Sequence, residues 1–271
     1  MPRVFILALD GVEYELVVGW KLRNLMQKHY GSVDISEFRR NFGRASTPTL
    51  WSSFITGKYL NIGGWWTYGK ILDWVRVKPP LRWIKHKRKI FWKFIRPRVV
   101  DKRELGCKTI FDHASKSIAV NIPAYNEPTE FHVRLTEAIL SKGLDEYERE
   151  IWSLHNQRAE ETFKKLEEDR DWTLFMTWFD LADLLGHIHI AKRVWALKKG
   201  YEHLDELAGN LSRKVGENSI FLIVSDHGMK PMPDGTGDHT NHTFYSLNHA
   251  VNWKPKKIVD FHQKILEWLS E

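Results

Sequence analysis

The sequence predicts an α/β fold with a mostly parallel central sheet and helices on both faces, and three observations predict it. Apolar runs of strand length, Val4–Leu9, Trp172–Phe179 and Ile220–Val224, carry little polar alternation, the mark of strands covered on both faces. Amphipathic stretches long enough for helices separate them. Each run also stops at a polar cluster: Asp10-Gly11, Asp180 with Asp183, and Asp226-His227-Gly228. In open α/β sheets, ligands collect just beyond the carboxyl ends of the strands.

At 271 residues the chain fits one large domain spanning residues 1–271. Its single cysteine, Cys107, excludes an internal disulfide and any multi-cysteine zinc knot. Met1-Pro2-Arg3 leads into six apolar residues and then Asp10, too short for a signal-peptide core or a membrane span. The expectation is a cytoplasmic protein, peripheral to membranes at most. Thirteen tryptophans and a net charge of +7 are the unusual features of its composition.

Val4–Leu9 is the first strand. Gly11 lets the backbone turn sharply while Asp10 places a carboxylate over the sheet edge. A haloacid-dehalogenase phosphatase needs a second aspartate two positions on, where this chain has Val12. A metal-ligand aspartate has no such requirement, and a helix-capping aspartate is the structural alternative. Thr47-Pro48 opens a helix that ends near Gly57, since the residue before a proline is extended and proline suits a first helical turn. A hydroxyl there is either a cap or a nucleophile facing an anion held by helix N–H groups.

Residues 60–105 read as an insertion, with lysine and arginine interleaved with aromatics over 81–98. A cap over the site, a patch for anionic lipid and a groove for nucleic acid all fit. Lys108–Ala114 begins a helix, and Ser117–Ile122 is a short strand followed by the Asn121–Tyr125 loop. Leu135–Glu168 is helical with solvated charged faces. Asp183 and His187, four apart, share one face of a helical turn and suit a single ion, although a bond between the two side chains is the plain alternative. Asp180 and His189 are nearby spares. A helix from Lys192 to Val215 leads to the Ile220 strand. His239 is the third candidate ligand and His242 its backup. Thr243–Leu247 is a strand, and Ile258–Leu269 a terminal helix packing through Ile258, Ile265 and Leu269.

Asp10, Thr47, Asp183, His187, Asp226, His227 and His239 therefore gather at one sheet edge. Together they supply ligands for two divalent ions and a hydroxyl, the requirements of two-metal phosphoryl transfer. The motif order resembles the alkaline phosphatase superfamily, in particular its type I phosphodiesterase/nucleotide pyrophosphatase branch. The matching pieces are Leu9-Asp10-Gly11, Thr47-Pro48-Thr49-Leu50-Trp51 ahead of Thr56-Gly57, Asp183-Leu184-Leu185-Gly186-His187, and Val224-Ser225-Asp226-His227-Gly228-Met229. The resemblance covers most of the chain outside residues 60–105.

The resemblance implies a three-layer sandwich of the alkaline phosphatase type. It makes Thr47 the nucleophile, forming a covalent threonine intermediate during cleavage of phosphodiester or phosphomonoester bonds. Asp183, His187 and His239 then hold one zinc-type ion, with manganese the alternative, and Asp10, Thr47, Asp226 and His227 hold the other. Many members place an asparagine three residues after the nucleophile to hold a phosphate oxygen, and here Leu50 stands there. Lys58 and Tyr125 are the candidates for that substrate-binding role. Sulfatases are excluded, because Thr47 and Trp51 replace their convertible cysteine or serine and their arginine. The partner implied is an anionic phosphate ester, with no obligate protein partner. The rival reading is a degenerate member that binds nucleic acid or anionic lipid through residues 81–98.

Overall fold

The computed structural model describes residues 3–43, 45–67, 98–250 and 252–271. In chain order, β1 (Val4–Leu9) is followed by α1 (Tyr14–Gly19), α2 (Arg23–Met26), β2 (His29–Gly31), α3 (Ser36–Phe42) and α4 (Thr47–Thr56). Two short strands follow, β3 (Trp66–Thr67) and β4 (Arg98–Val99), then β5 (Ser117–Val120), α5 (Thr129–Ser141) and α6 (Leu144–Glu168). The second half contains β6 (Leu174–Phe179), α7 (Leu181–His189), α8 (Val194–Val215) and β7 (Ile220–Ser225). It closes with β8 (Met229–Pro231), β9 (Gly237–His239), β10 (Tyr245–Leu247) and α9 (Asp260–Ser270).

Six strands form the main sheet in the order β2-β10-β7-β1-β6-β5. β1 runs parallel to both β6 and β7, and β5 parallel to β6, whereas β10 is antiparallel to β7 and to β2. The sheet is thus mostly parallel, and the three apolar runs of the sequence are its adjacent central strands. Because side chains alternate along a strand, β1 feeds both faces. Phe5, Leu7 and Leu9 point into a core shared with α6, α7 and α8, while Val4, Ile6 and Ala8 point into one shared with α4 and α9. Phe5 lies between Phe175 and Phe221, with ring centroids at 5.1 and 5.0 Å, pinning the three central strands in register. Two helical layers around one sheet make the three-layer sandwich.

Several expectations need correcting. The stretch from Leu135 to Glu168 is two helices, α5 and α6, parted at Lys142-Gly143, where Gly143 has φ +86° and starts the second. Its charged faces are not wholly solvated: Arg158 of α6 is fully buried, paired with Asp180 and with Glu127 at 3.3 Å. The rings of Phe131 and Trp178 cover its guanidinium at 4.8 Å each. Lys108–Ala114 holds only a 3-10 turn, Ile110–Asp112, whose start is capped by the Thr109 N–H donating to Asp112. The terminal helix packs through Phe261 and Trp268 as well as Ile265.

At the described ends of the insertion, β3 and β4 pair antiparallel, with Trp66 opposite Val99. Residues 68–97, and with them nearly all of the basic 81–98 stretch, lie outside the described residues. Among the described residues no helix is long and apolar enough to cross a membrane. Removing the Arg158 charge leaves the buried Asp180 carboxylate without its cation and Glu127 with His132 alone, 2.9 Å away. Arg158→Met is therefore expected to cost about 3–5 kcal/mol, read from urea unfolding at constant m-value.

Candidate active site

The site is built at the carboxyl ends of β1, β6 and β7. Asp10 follows β1 directly, Asp226 and His227 follow β7, and Asp183 stands in the first turn of α7, just beyond β6. Gly11 makes this convergence possible: its φ is +71°, and a Cβ there would sit 2.6 Å from the Asp183 Cα. Gly237 does the same for the His239 strand, since its Cβ would lie 2.5 Å from the Gly186 carbonyl oxygen. Thr47 opens α4 after an extended Ser46, Pro48 fills the first turn, and Gly57 ends the helix at φ +67°.

All seven sequence-derived residues meet, and their donor atoms fall into two sets. Asp183 Oδ1 is 3.4 Å from Nε2 of both His187 and His239, and those two nitrogens are 3.2 Å apart. Thr47 Oγ1 lies 3.5 Å from Asp10 Oδ1 and 3.4 Å from His227 Nε2, which is 3.2 Å from Asp10 Oδ1 and 3.4 Å from Asp226 Oδ2. Ligands bound tetrahedrally at about 2.0–2.1 Å stand about 3.3–3.4 Å from one another. The three distances of the first set and the four given for the second are near that spacing. Asp183 Oδ1 also approaches His227 Nε2 to 4.0 Å, so this carboxylate stands between the sets and is close to both.

The tautomers follow from the backbone. His187 Nδ1 lies 2.9 Å from the Gly237 carbonyl and His227 Nδ1 3.2 Å from that of Gly228. A carbonyl only accepts, so each Nδ1 carries the hydrogen and each Nε2 presents a lone pair to the site. Among the described residues, Asp183 Oδ1 and Asp226 Oδ2 are buried without a hydrogen-bond donor. Burial and the Asp183 charge push the Asp10 carboxyl well above its ordinary range; burial and the Asp10 charge do the same to Asp226. Burial also penalises the Asp183 charge, but His187, His239 and His227 in their protonated form outweigh it and hold this carboxyl below the ordinary range. Paired divalent cations fit this donor set on spacing, on lone-pair direction and on charge.

Other candidates lie elsewhere. Lys58 follows the far end of α4, which places it about 15 Å along the helix from Thr47; it is exposed and faces His262, so the anion-holding role expected of it does not fit. Tyr125 packs at a tilt against Phe111, ring centroids 4.5 Å apart, and its hydroxyl bonds to Thr109. The spare Asp180 binds Arg158, and His189 is buried against Glu148. His242 pairs with Glu13 rather than joining Asp183, which removes it as a backup for His239. Arg98, the described end of the basic stretch, is bound to Asp101 and Glu104. Leu50 is in the core. A cavity of about 200 Å³ beside Asp10 and Asp183, walled by Trp65, Trp178, Tyr147 and Leu184, had no signal in the sequence because its walls come from five separate segments.

Without cations the unfolded chain ionises Asp10 and Asp226 near the ordinary 3.8 while the folded chain keeps their protons, so metal-free stability falls as pH rises beyond that value. Thermal melts in chelator should decline from about pH 4 upward. Divalent ions at a hundred times their Kd should flatten that decline and add about 2.7 kcal/mol per site. In Asp183→Asn the same ions should add little.

The sequence profile of the type I phosphodiesterase / nucleotide pyrophosphatase family matches residues 4–264. No curated protein sequence matches the chain. Among solved structures, the alkaline phosphatase from the Antarctic bacterium TAB5 aligns over 100% of this chain and 99% of its own, with a TM-score of 0.52 at 11% identity. A mutant of that enzyme with Mg bound in its M3 site aligns over 99% of this chain and 98% of its own, with a TM-score of 0.51 at 11% identity. Human ectonucleotide pyrophosphatase/phosphodiesterase 5 aligns over 86% of this chain and 58% of its own, with a TM-score of 0.43 at 15% identity. The fold is that of the alkaline phosphatases, and the chain belongs to the type I phosphodiesterase/nucleotide pyrophosphatase family of phosphoester hydrolases.

Proposed function

We propose that this protein cleaves phosphodiester or phosphomonoester bonds through a covalent phosphothreonine at Thr47, with two divalent cations, zinc or manganese. The observation that carries this reading is the position of Thr47 Oγ1. It stands at the first residue of α4, 3.5 Å from Asp10 Oδ1 and 3.4 Å from His227 Nε2, inside one of the two ligand sets. Asp183, His187 and His239 would hold one ion, and Asp10, Thr47, Asp226 and His227 the other. Bound there, the ions supply positive charge that lowers the hydroxyl pKa and offsets the charge of the transferring phosphoryl group.

The chain's own residues account for the remaining steps. The Thr47 hydroxyl donates to Asp10 Oδ1, which gives its proton an acceptor as Oγ1 bonds to phosphorus. The ester's alcohol leaves with the electron pair of the broken P–O bond and takes up a proton. Water then attacks the same phosphorus, the P–Oγ1 bond breaks, and Thr47 regains a hydrogen. With Pro48 lacking an N–H and the Leu50 N–H bonded to the Ser46 carbonyl, the Thr47 and Thr49 N–H groups would hold the phosphoryl oxygens in place of the asparagine absent at Leu50. The walls of Trp65, Trp178, Tyr147 and Leu184 beside Asp10 and Asp183 receive the alcohol half of the ester.

Hydrolysis of an aryl phosphate monoester and an aryl phosphodiester, each with zinc or manganese added, tests the class and the ester preference together. Thr47→Ala should lower kcat at least about a thousand-fold, and no phosphothreonine should be trapped by acid quench. Full activity in that variant would remove Thr47 as nucleophile.

A further inference from the structure

Glu13 and His242 take no part in the chemistry above, yet the Glu13 side chain is 6% exposed and spends both carboxylate oxygens on the site's framework. Oε1 accepts from His242 Nε2 at 2.7 Å and from the Glu15 N–H at 3.3 Å. Oε2 accepts from the Met229 N–H at 3.1 Å and the Thr240 hydroxyl at 3.2 Å. These partners lie on the segments that carry the ligands. Glu13 is three residues past Asp10, Met229 two past His227, and Thr240 directly follows His239.

Gly228 is shaped for this contact, because a Cβ there would meet Glu13 Oε2 at 2.2 Å. The two loops are also laced by main-chain bonds, Gly228 N–H to the His242 carbonyl and Thr240 N–H to the Gly228 carbonyl, both at 2.9 Å. A carboxylate is the only side chain of this reach that accepts at both ends, and each of its four donors needs an acceptor.

We propose that Glu13, held by His242, is a positioning residue that locks the three segments bearing Asp10, Asp226-His227 and His239 into one arrangement and thereby sets the affinity of the site for divalent cations. The proposal rests on the two-cation reading of that site. It makes Glu13 the shared partner of both ligand sets, in addition to the carbonyls that orient His187 and His227.

The charges support it. Burial works against the Glu13 charge, but the bond and charge of His242 outweigh it and hold the carboxyl below its usual range. The bond to Glu13 raises His242, with Glu15 facing it from α1 and Asp34 from the β2–α3 connection and adding to the rise. The Glu13 contribution is present above its unfolded value of 4.5 and lost as pH falls through the lowered folded one. The His242 contribution is complete below 6.5 and lost as pH rises through the raised folded value.

Calorimetric titration of chelator-treated protein with zinc and with manganese tests the clamp. Wild type, Glu13→Gln, His242→Gln and Asp183→Asn are compared, with near-ultraviolet circular dichroism to confirm native packing. Glu13→Gln puts an N–H against one set of donors and should weaken cation binding about 10–100-fold. His242→Gln, at a partly exposed position that tolerates exchange, should weaken it less. Its deficit relative to wild type should shrink as pH rises through the His242 pKa, a dependence that a packing defect alone does not produce. Cation affinities of both clamp variants equal to wild type, with Asp183→Asn unable to bind, overturn the clamp and leave the metal site standing. A wild type without affinity, or an Asp183→Asn that binds normally, overturns the metal site and the clamp with it.

Discussion

The constraint on which the rest of this structure depends is electrostatic. Asp10 and Asp226 are brought together out of water beside a half-buried Asp183, and like charges so placed cannot all persist without compensation. Protonated imidazoles beside Asp183 hold its carboxyl below the ordinary range, whereas burial and mutual repulsion push Asp10 and Asp226 above theirs. That imbalance is what the two cations proposed for this site would correct. A buried cluster assembled for stability alone would be better served by apolar side chains of the same volume.

Geometry delivers this cluster through the parallel core of the sheet. Three neighbouring strands, β6, β1 and β7, end at the same level because their register is locked by Phe175, Phe5 and Phe221. Their carboxyl ends then offer ligands from three unrelated stretches of sequence within a few ångströms. Glycines without side chains, at 11, 228 and 237, allow the backbone crossings that remain. The same packing explains why Glu13 reaches both ligand-bearing loops: it enters where Gly228 leaves room.

The central strands, the helix opened by Thr47-Pro48 and the Asp183/His187 pair were legible because each rests on local chemistry: apolar run length, proline and glycine at helix ends, and a spacing of one helical turn. What was not legible depends on partners distant in sequence. Nothing near Arg158 signals that its guanidinium is sandwiched between Phe131 and Trp178, so a polar helix face passed for a solvated one. His242 and His239 differ little as sequence, yet Glu13, more than two hundred residues away, claims the first and leaves the second to Asp183. Lys58 is close to Thr47 in sequence, yet the intervening helix carries it to the opposite end.

Anomalous diffraction from crystals grown with zinc, recorded above and below the zinc absorption edge, tests the central claim most directly. Two peaks should appear for each chain, one among Asp183, His187 and His239 and one among Asp10, Thr47, Asp226 and His227, with the Asp183 carboxylate between them. A site without anomalous signal, while Asp10 and Asp226 remain buried beside His227, would contradict the account.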